Sequence, residues 1–346
     1  MAVILNRDLA ATREALAVWL RRKLPGATHI AVTRLTAAEG GSSSETLFLE
    51  AEISEDGAMR RERWVLRIQA SGYQVYQDPS VERQYRVMEM VGHAGSVPVP
   101  RMLWYEGDAT VLGMPFFVMD RVDGDVPHER YHSQGVLFDA SPADRQRMWL
   151  SGIDAMAAVH RIDAERASFL ARPQLGPTGL DQEIAAWDAY LLWAKIPSHP
   201  VLERARRWLD VNVPAHRPTS LAWGDARLGN MVFAGGACQA VLDWETASLG
   251  GAETDLGWWI YYDWWITDGT GVPRLEGIGG REDTIRAWEE ASGRKAEAME
   301  WHEIFATYRF AIISERAIAL MAAAGGSIAV SGGDANPAIA RLRDLL

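Results

Sequence analysis

Apolar residues fall into short strand-like runs over roughly the first third of the chain and recur every three or four positions over much of the rest. Leu9, Leu16, Trp19 and Leu20 mark one face of a helix predicted over 8–23 and ended by Pro25-Gly26. Strand-like runs follow at 29–34, 46–53, 63–68, 101–105, 110–112 and 115–119. Between them, 80–92 reads as a helix. Its apolar stripe is Val81, Tyr85, Met88 and Val91, and Gln84 lies on that stripe. Glu82, Arg86 and Glu89 form its charged face. Ser141-Pro142-Ala143-Asp144 is a strong helix start, with Ser as cap and Pro in the first position, for a helix reaching about 163. Further helices are predicted over 180–195, 199–210, 283–291 and 301–323, the last stopped by Gly325-Gly326. This pattern is α+β, with strands first and helices afterwards.

One hairpin interrupts the helical part. Met231-Val232-Phe233 and Gln239-Ala240-Val241-Leu242 flank Ala234-Gly235-Gly236-Ala237. Pairing these runs brings Asn230 and Asp243 to the same end, about the reach of one cation. Asp225 stands five residues before Asn230. Phosphoryl transfer from a nucleotide needs a carboxylate to position the acceptor hydroxyl. It also needs an amide and a second carboxylate to hold magnesium against the phosphates. The D-x-x-x-x-N spacing with Asp243 downstream supplies this set in the order found in protein-kinase catalytic loops. Upstream, Gly40, Gly41, Ser42 and Ser43 lie between two strands. Their backbone N–H groups suit phosphates, and the same residues serve equally well as a plain hairpin turn. On the strand at 63–68, Val65 and Arg67 share a face.

The stretch Trp223-Gly224-Asp225, with Asn230 and then Leu242-Asp243-Trp244-Glu245, resembles the aminoglycoside phosphotransferase family. That family reads H-G-D-x-x-x-x-N and then I-D-W-E or I-D-F-E. The resemblance runs from about residue 28 to about residue 325. It implies a bilobal protein-kinase-like fold, with a small antiparallel-sheet N-lobe at 1–119, a hinge at 120–124 and a larger, mostly helical C-lobe at 125–346. It implies ATP as donor (GTP not excluded), Mg²⁺, and a small-molecule hydroxyl as acceptor. Asp225 would be the catalytic carboxylate, and Asn230 and Asp243 the metal ligands. Gly40, Gly41, Ser42 and Ser43 would cover the nucleotide, and Val65 and Arg67 would meet it from the sheet. Met119 would lie behind the base, whose edge would be read by the Asp120 carbonyl and the Val122 N–H. Asp255 would brace the catalytic loop. Two residues depart from the family pattern. Gln84 stands where members often carry a Glu that pairs with the strand's basic residue, leaving an Arg67–Gln84 hydrogen bond as the remaining pairing. Trp223 replaces the His. These departures slightly favour the alternative of a nucleotide-binding regulatory module with weak or no turnover, and the presence of Asp225, Asn230 and Asp243 together speaks against it. His160 reads as a core residue, and the aromatic cluster at 258–265 as mostly core with one or two rings at the acceptor.

Composition narrows the partners. A formal net charge of −11 disfavours nucleic acid, whose phosphates select basic surfaces. Cys238 is the only cysteine, which excludes an intrachain disulfide and points to a reducing compartment. The apolar run at the N-terminus is too short for a signal peptide, and no window approaches 18 continuous apolar residues. No membrane association and a cytoplasmic location are therefore expected. Only 11 residues separate Asp243 from Asp255 and no A-P-E follows, too short for a protein-kinase activation segment. The stretch 241–268 has no Lys or Arg, so a neutral or cationic acceptor is expected. Zinc-hydrolase and serine-hydrolase motifs (H-E-x-x-H, C-x-x-C, G-x-S-x-G) do not occur.

Overall fold

Alternating side chains along the strand-like runs assemble one antiparallel sheet. The computed structural model describes residues 7–38, 44–70, 72, 74–78, 80–323, 325 and 332–346. Strands β1 (Ala27–Ala37), β2 (Ser44–Glu55), β3 (Ala58–Gln69), β4 (Met102–Glu106) and β5 (Phe116–Asp120) lie in the order β1-β2-β3-β5-β4. On one face Trp64, Leu66, Ile68, Phe116 and Val118 pack with Leu16, Trp19 and Leu20 of helix α1 (Leu9–Lys23). Asp8 caps α1 by accepting from the N–H groups of Ala10 and Ala11. The strand period sends Val65, Arg67, Phe117 and Met119 to the other face. There Val65 sits opposite Met119 and Arg67 opposite Phe117. Tyr85 of α2 (Val81–Ala94) lies on this side, its ring 6.2 Å from that of Phe117.

The segment 110–112 is a turn, not a strand. Asp108 explains the difference. Its carboxylate accepts from the Thr110 N–H at 2.9 Å and the Thr110 hydroxyl at 2.7 Å, and its carbonyl accepts from the Val111 N–H at 3.2 Å. This local pairing satisfies the groups a strand ladder would need and curls the chain.

The chain divides into two compact units. The first is Met1–Glu89 with Pro100–Val122, and the second is Met90–Val99 with Asp123–Leu346. Within the second, the Pro98 carbonyl accepts from the Val241 N–H at 2.8 Å. The second unit is mostly helical: α3 (Val136–Asp139), α4 (Pro142–His160), α5 (Gly179–Ala194), α6 (Pro200–Val211), α7 (Ala252–Ile266), α8 (Arg281–Ser292), α9 (Met299–Ala323) and α10 (Pro337–Leu345). Its hairpin is β6 (Met231–Ala234) with β7 (Ala237–Val241). Ser141 caps α4 as its sequence foretells, accepting from the Asp144 N–H.

Helix α7 carries no periodic signal because it has no polar face. Thirteen of its fifteen residues are buried. Gly257 lets it close on α9, since a Cβ there would lie 2.7 Å from the His302 carbonyl group. Helix α10 is held by Asn336, whose side chain accepts from the Ala338 N–H and donates to Ser314 Oγ and Glu315 Oε1 at 2.9 Å each. Among the described residues, no helix is long and apolar enough to cross a membrane.

This packing makes a pH prediction. His302 is buried beside Trp301, and burial pushes its pKa down from 6.5 to about 3. The unfolded chain therefore binds a proton that the folded chain refuses between those two values. His302 costs nothing above about pH 6.5, and its stability penalty grows as pH falls toward 3. At pH 5 it amounts to about 2 kcal/mol. Melting temperature should fall between pH 7 and pH 5, and His302→Phe should flatten that slope. An unchanged slope in the variant would show that His302 is not the titrating group.

Candidate active site

The loop that carries Asp225 is pinned at both flanks. Single bridges join Ala222 to Ser248 and Ser220 to Gly250. The hairpin then pairs Met231 with Val241, and the Leu242 N–H donates to the Asn230 carbonyl at 2.8 Å. Asn230 and Asp243 therefore sit at the same end of the hairpin. Gly235 and Gly236 make its turn with φ of 60° and 83°, conformations that suit glycine.

Asp225 is held from several sides. Its Oδ2 accepts from Asn230 Nδ2 at 2.6 Å, and its Oδ1 accepts from the Trp258 indole N–H at 2.8 Å. The Arg227 Nε–H reaches both oxygens, at 3.2 and 3.1 Å. Asn230 Nδ2 also donates to the Asp225 main-chain carbonyl at 3.0 Å, so its donors are committed to the loop. Its Oδ1 accepts no hydrogen bond among the described residues. Arg227 stacks over Tyr262 at 4.9 Å. Burial works against its charge, but the Asp225 carboxylate more than offsets this and holds its pKa above the ordinary arginine value. Burial pushes the Tyr262 hydroxyl up to about 12.

Asp243 has φ of 61°, a left-handed conformation that costs a non-glycine residue about 1 kcal/mol or more. Its neighbours hold it there. The Leu242 carbonyl accepts from the Trp223 indole N–H at 2.7 Å, and the Trp244 indole N–H donates to the Val241 carbonyl at 3.1 Å. Trp223 thus ties the Asp225 loop to the residue before Asp243. Trp223→Phe keeps the ring but loses that bond. It should weaken Mg²⁺-dependent nucleotide binding severalfold, a loss of about 1 kcal/mol, and leave Mg²⁺-free binding unchanged. Equal weakening of both in calorimetry would contradict this.

Behind the loop, Asp255 is fully buried and accepts from the N–H groups of Trp223 at 2.6 Å and Gly224 at 2.7 Å. His160 Nε2 lies 2.9 Å from the same carboxylate, and His160 Nδ1 lies 2.9 Å from the Trp288 indole nitrogen. An indole can only donate, so Nδ1 accepts and the His160 proton sits on Nε2, facing Asp255. In the next peptide, buried Arg309 donates to the Gly224 carbonyl at 3.2 Å. Arg309 lies over the rings of Trp187 (4.8 Å) and Trp258 (4.7 Å), whose faces attract the cation. Gly224, just before Asp225, is therefore held at both its N–H and its carbonyl.

His160, Trp258 and Arg309 are site residues that their local sequence does not announce. His160 and Trp258 lie far along the chain from Asp225, on helices whose burial hides any pattern. Arg227, two residues from Asp225, is the one that spacing within the loop marks. Arg227 and Arg309 also bring positive charge that the bare 241–268 segment lacks.

In the first unit, Val65 and Met119 are cross-strand partners, both buried. The Asp120 N–H donates to the Arg101 carbonyl and the Arg121 N–H to the Arg63 carbonyl, whereas the Val122 N–H has no main-chain partner among the described residues. Gln84 points inward and is 2% exposed, while Glu82 is exposed. The Arg67–Gln84 bond is not formed. Arg67 Nη1 donates to Thr46 Oγ1 at 3.2 Å, directly across the β2–β3 ladder, and Gln84 Nε2 is buried without a partner among the described residues. Gly40, Gly41, Ser42 and Ser43 lie outside the described residues.

The profile of the phosphotransferase enzyme family matches residues 34–294. The chain belongs to this family. The sheet-and-helix architecture is the kinase-like α+β fold of solved family members. A protein of Ralstonia eutropha named provisionally as an aminoglycoside phosphotransferase is 26% identical, with a TM-score of 0.66 over 96% of this chain and 95% of that one. The aminoglycoside phosphotransferase APH(4)-Ia, solved with ADP and hygromycin B, shares the fold at 15% identity and a TM-score of 0.59, covering 96% of this chain and 97% of that one. Among curated relatives, acyl-CoA dehydrogenase family member 11 of Rattus norvegicus is 27% identical over 279 residues. That match covers 76% of this chain and 34% of the relative, so the chain spans about a third of its length.

The residues at the hairpin end fit the magnesium that a phosphotransferase uses. No group of three or more His, Cys, Asp or Glu among the described residues forms a self-sufficient metal cage. Mg²⁺ does not need one, since it usually binds through one or two protein oxygens and completes its shell with water and phosphate. The Asn230 side-chain oxygen and the Asp243 carboxylate are hard oxygen donors of that kind.

Proposed function

We propose that this protein transfers the γ-phosphoryl group of ATP to a hydroxyl of a small molecule, with Mg²⁺ held by Asn230 and Asp243. The observation that carries this reading is the arrangement around Asp225. A carboxylate of fixed orientation lies beside Asn230, which shares the hairpin end with Asp243. Asp225 accepts a hydrogen bond from the acceptor hydroxyl and aims its oxygen at the γ-phosphorus. The new oxygen–phosphorus bond forms as the bond to the bridging oxygen breaks, ADP leaves, and the hydroxyl proton passes to Asp225 late in the step. Bound Mg²⁺ would offset charge on the transferring group. Asp255, Arg309 and Trp223 keep the loop in place, and positioning is most of the catalysis in this chemistry. In the first unit, Val65 and Met119 offer an apolar surface to the base, the Val122 N–H and Asp120 carbonyl its edge contacts, and Arg67 a guanidinium to the phosphates.

A purely regulatory nucleotide-binding role drew its support from Gln84 and Trp223. The Trp223 indole N–H donates to the Leu242 carbonyl and so ties the two loops together, which supports the turnover reading. The acyl-CoA dehydrogenase names of the curated relatives favour an acyl thioester bearing a hydroxyl group as the first class to test. The experiment is a screen of hydroxylated acyl thioesters, amino alcohols and aminoglycosides for acceptor-dependent ADP release. Release with any one class supports a kinase and names its acceptor, and none with all classes favours the regulatory role.

A further inference from the structure

The Asp225 carboxylate is mostly enclosed, its side chain 17% exposed, and Arg227 lies across both of its oxygens. Two carboxylate oxygens offer about four lone-pair positions. Here they receive four contacts: Trp258 Nε1 at 2.8 Å, Asn230 Nδ2 at 2.6 Å, and the Arg227 Nε–H at 3.2 and 3.1 Å. Three donor hydrogens make these contacts, and the departure of one opens the carboxylate to a hydroxyl. Trp258 is buried on α7, and Asn230 is buried and tied to the Asp225 main chain as well. Arg227 is the weakest holder. Its single Nε hydrogen is divided between two oxygens at the longest distances of the set, and its hydrogen bond to the Tyr262 hydroxyl is long, at 3.4 Å. Its guanidinium rests on the Tyr262 ring, a surface over which it can slide without losing its stacking contact.

Only another anion compensates a mostly buried guanidinium for leaving a carboxylate. The proposed reaction brings one such anion to the metal at Asn230 and Asp243, beside Asp225: the transferring phosphoryl group. Its oxygens match the planar guanidinium fork. We propose that Arg227 is a further catalytic residue. It covers Asp225 in the absence of triphosphate and moves onto a γ-phosphoryl oxygen when the triphosphate binds. The same motion frees a lone pair of Asp225 for the acceptor hydroxyl. In the transfer itself the hydroxyl oxygen bonds to phosphorus, the bridging oxygen departs with ADP, and the proton goes to one of the two Asp225 oxygens that Arg227 vacated. The base is then exposed only when there is a phosphoryl group to transfer. This inference rests on the ATP-dependent reading above.

The test is calorimetric binding of Mg²⁺-AMP-PNP and Mg²⁺-ADP to the full-length wild type, Arg227→Met, Arg227→Lys, Asp225→Asn and the double variant D225N/R227M. Arg227→Met should lose about tenfold or more in AMP-PNP affinity while ADP affinity changes less than about twofold, because only the triphosphate offers the lost charged contact. Arg227→Lys should restore part of the loss. Asp225→Asn removes the competing carboxylate charge, so it should bind AMP-PNP about threefold more tightly with ADP unchanged. That gain should vanish in the double variant. An unchanged AMP-PNP to ADP ratio in Arg227→Met, equal losses for both nucleotides, or a gain that persists in the double variant would each overturn the proposal. Failure of the wild type to bind either nucleotide would instead remove the ATP-dependent reading and this inference with it.

Discussion

Replacing Asp225 with Asn is expected to reduce turnover by roughly a hundredfold or more, the usual scale for a positioned proton acceptor. Nucleotide affinity should stay within a few-fold of wild type. The amide has nearly the shape of the carboxylate and keeps one acceptor oxygen for Trp258 or Asn230, so the loop should hold its course. What disappears is the charge that orients the hydroxyl and takes its proton. Turnover is to be measured with the acceptor found in the screen, and affinity by calorimetry with AMP-PNP. Wild-type turnover in the variant would mean that Asp225 is a turn residue and that the chemistry lies elsewhere.

Asp255→Ala should have the largest effect on stability. The carboxylate is fully buried and accepts from two main-chain N–H groups and from His160. Truncation strands all three donors in the interior. Removing one partner of such a buried network costs about 3–5 kcal/mol. For the second unit this corresponds to a fall in melting temperature of roughly 10 °C. Activity should be lost even at temperatures where the variant is folded, because the Trp223-Gly224 peptide that leads into Asp225 would no longer be fixed. Asp255→Asn keeps one acceptor oxygen and should fall between the two. A variant that melts with wild type would show that water replaces the carboxylate without loss.

The parts of the molecule that the sequence made legible are those where one residue acts on its near neighbours. Ser141 and Asp144 announce α4 because capping is local. The hairpin at 231–241 is written in two apolar runs around Gly235-Gly236, and so is the meeting of Asn230 with Asp243. The stripe on α2 places Gln84 inward and Glu82 outward, as the structure has them. What could not be read depends on distant partners. Helix α7 is buried all round, so its periodicity is erased. Thr110 and Val111 look like strand residues until the Asp108 side chain turns them. Trp258 reaches Asp225 across 33 positions and His160 reaches Asp255 across 95, and nothing local marks either. Arg67 donates to Thr46, its partner across the β2–β3 ladder, a pairing that alternation alone does not decide.

The central claim is that Asn230 and Asp243 hold Mg²⁺ on a nucleotide beside Asp225, and calorimetry tests it directly. Wild type and Asp243→Ala are titrated with Mg²⁺ alone, with AMP-PNP alone, and with both together. Mg²⁺ alone should give little heat, since two protein oxygens do not complete its shell without phosphate. AMP-PNP should bind wild type markedly more tightly when Mg²⁺ is present, and Asp243→Ala should lose that enhancement while keeping the Mg²⁺-free affinity. Tight binding of Mg²⁺ to the nucleotide-free protein, or an enhancement that survives in Asp243→Ala, would contradict the account.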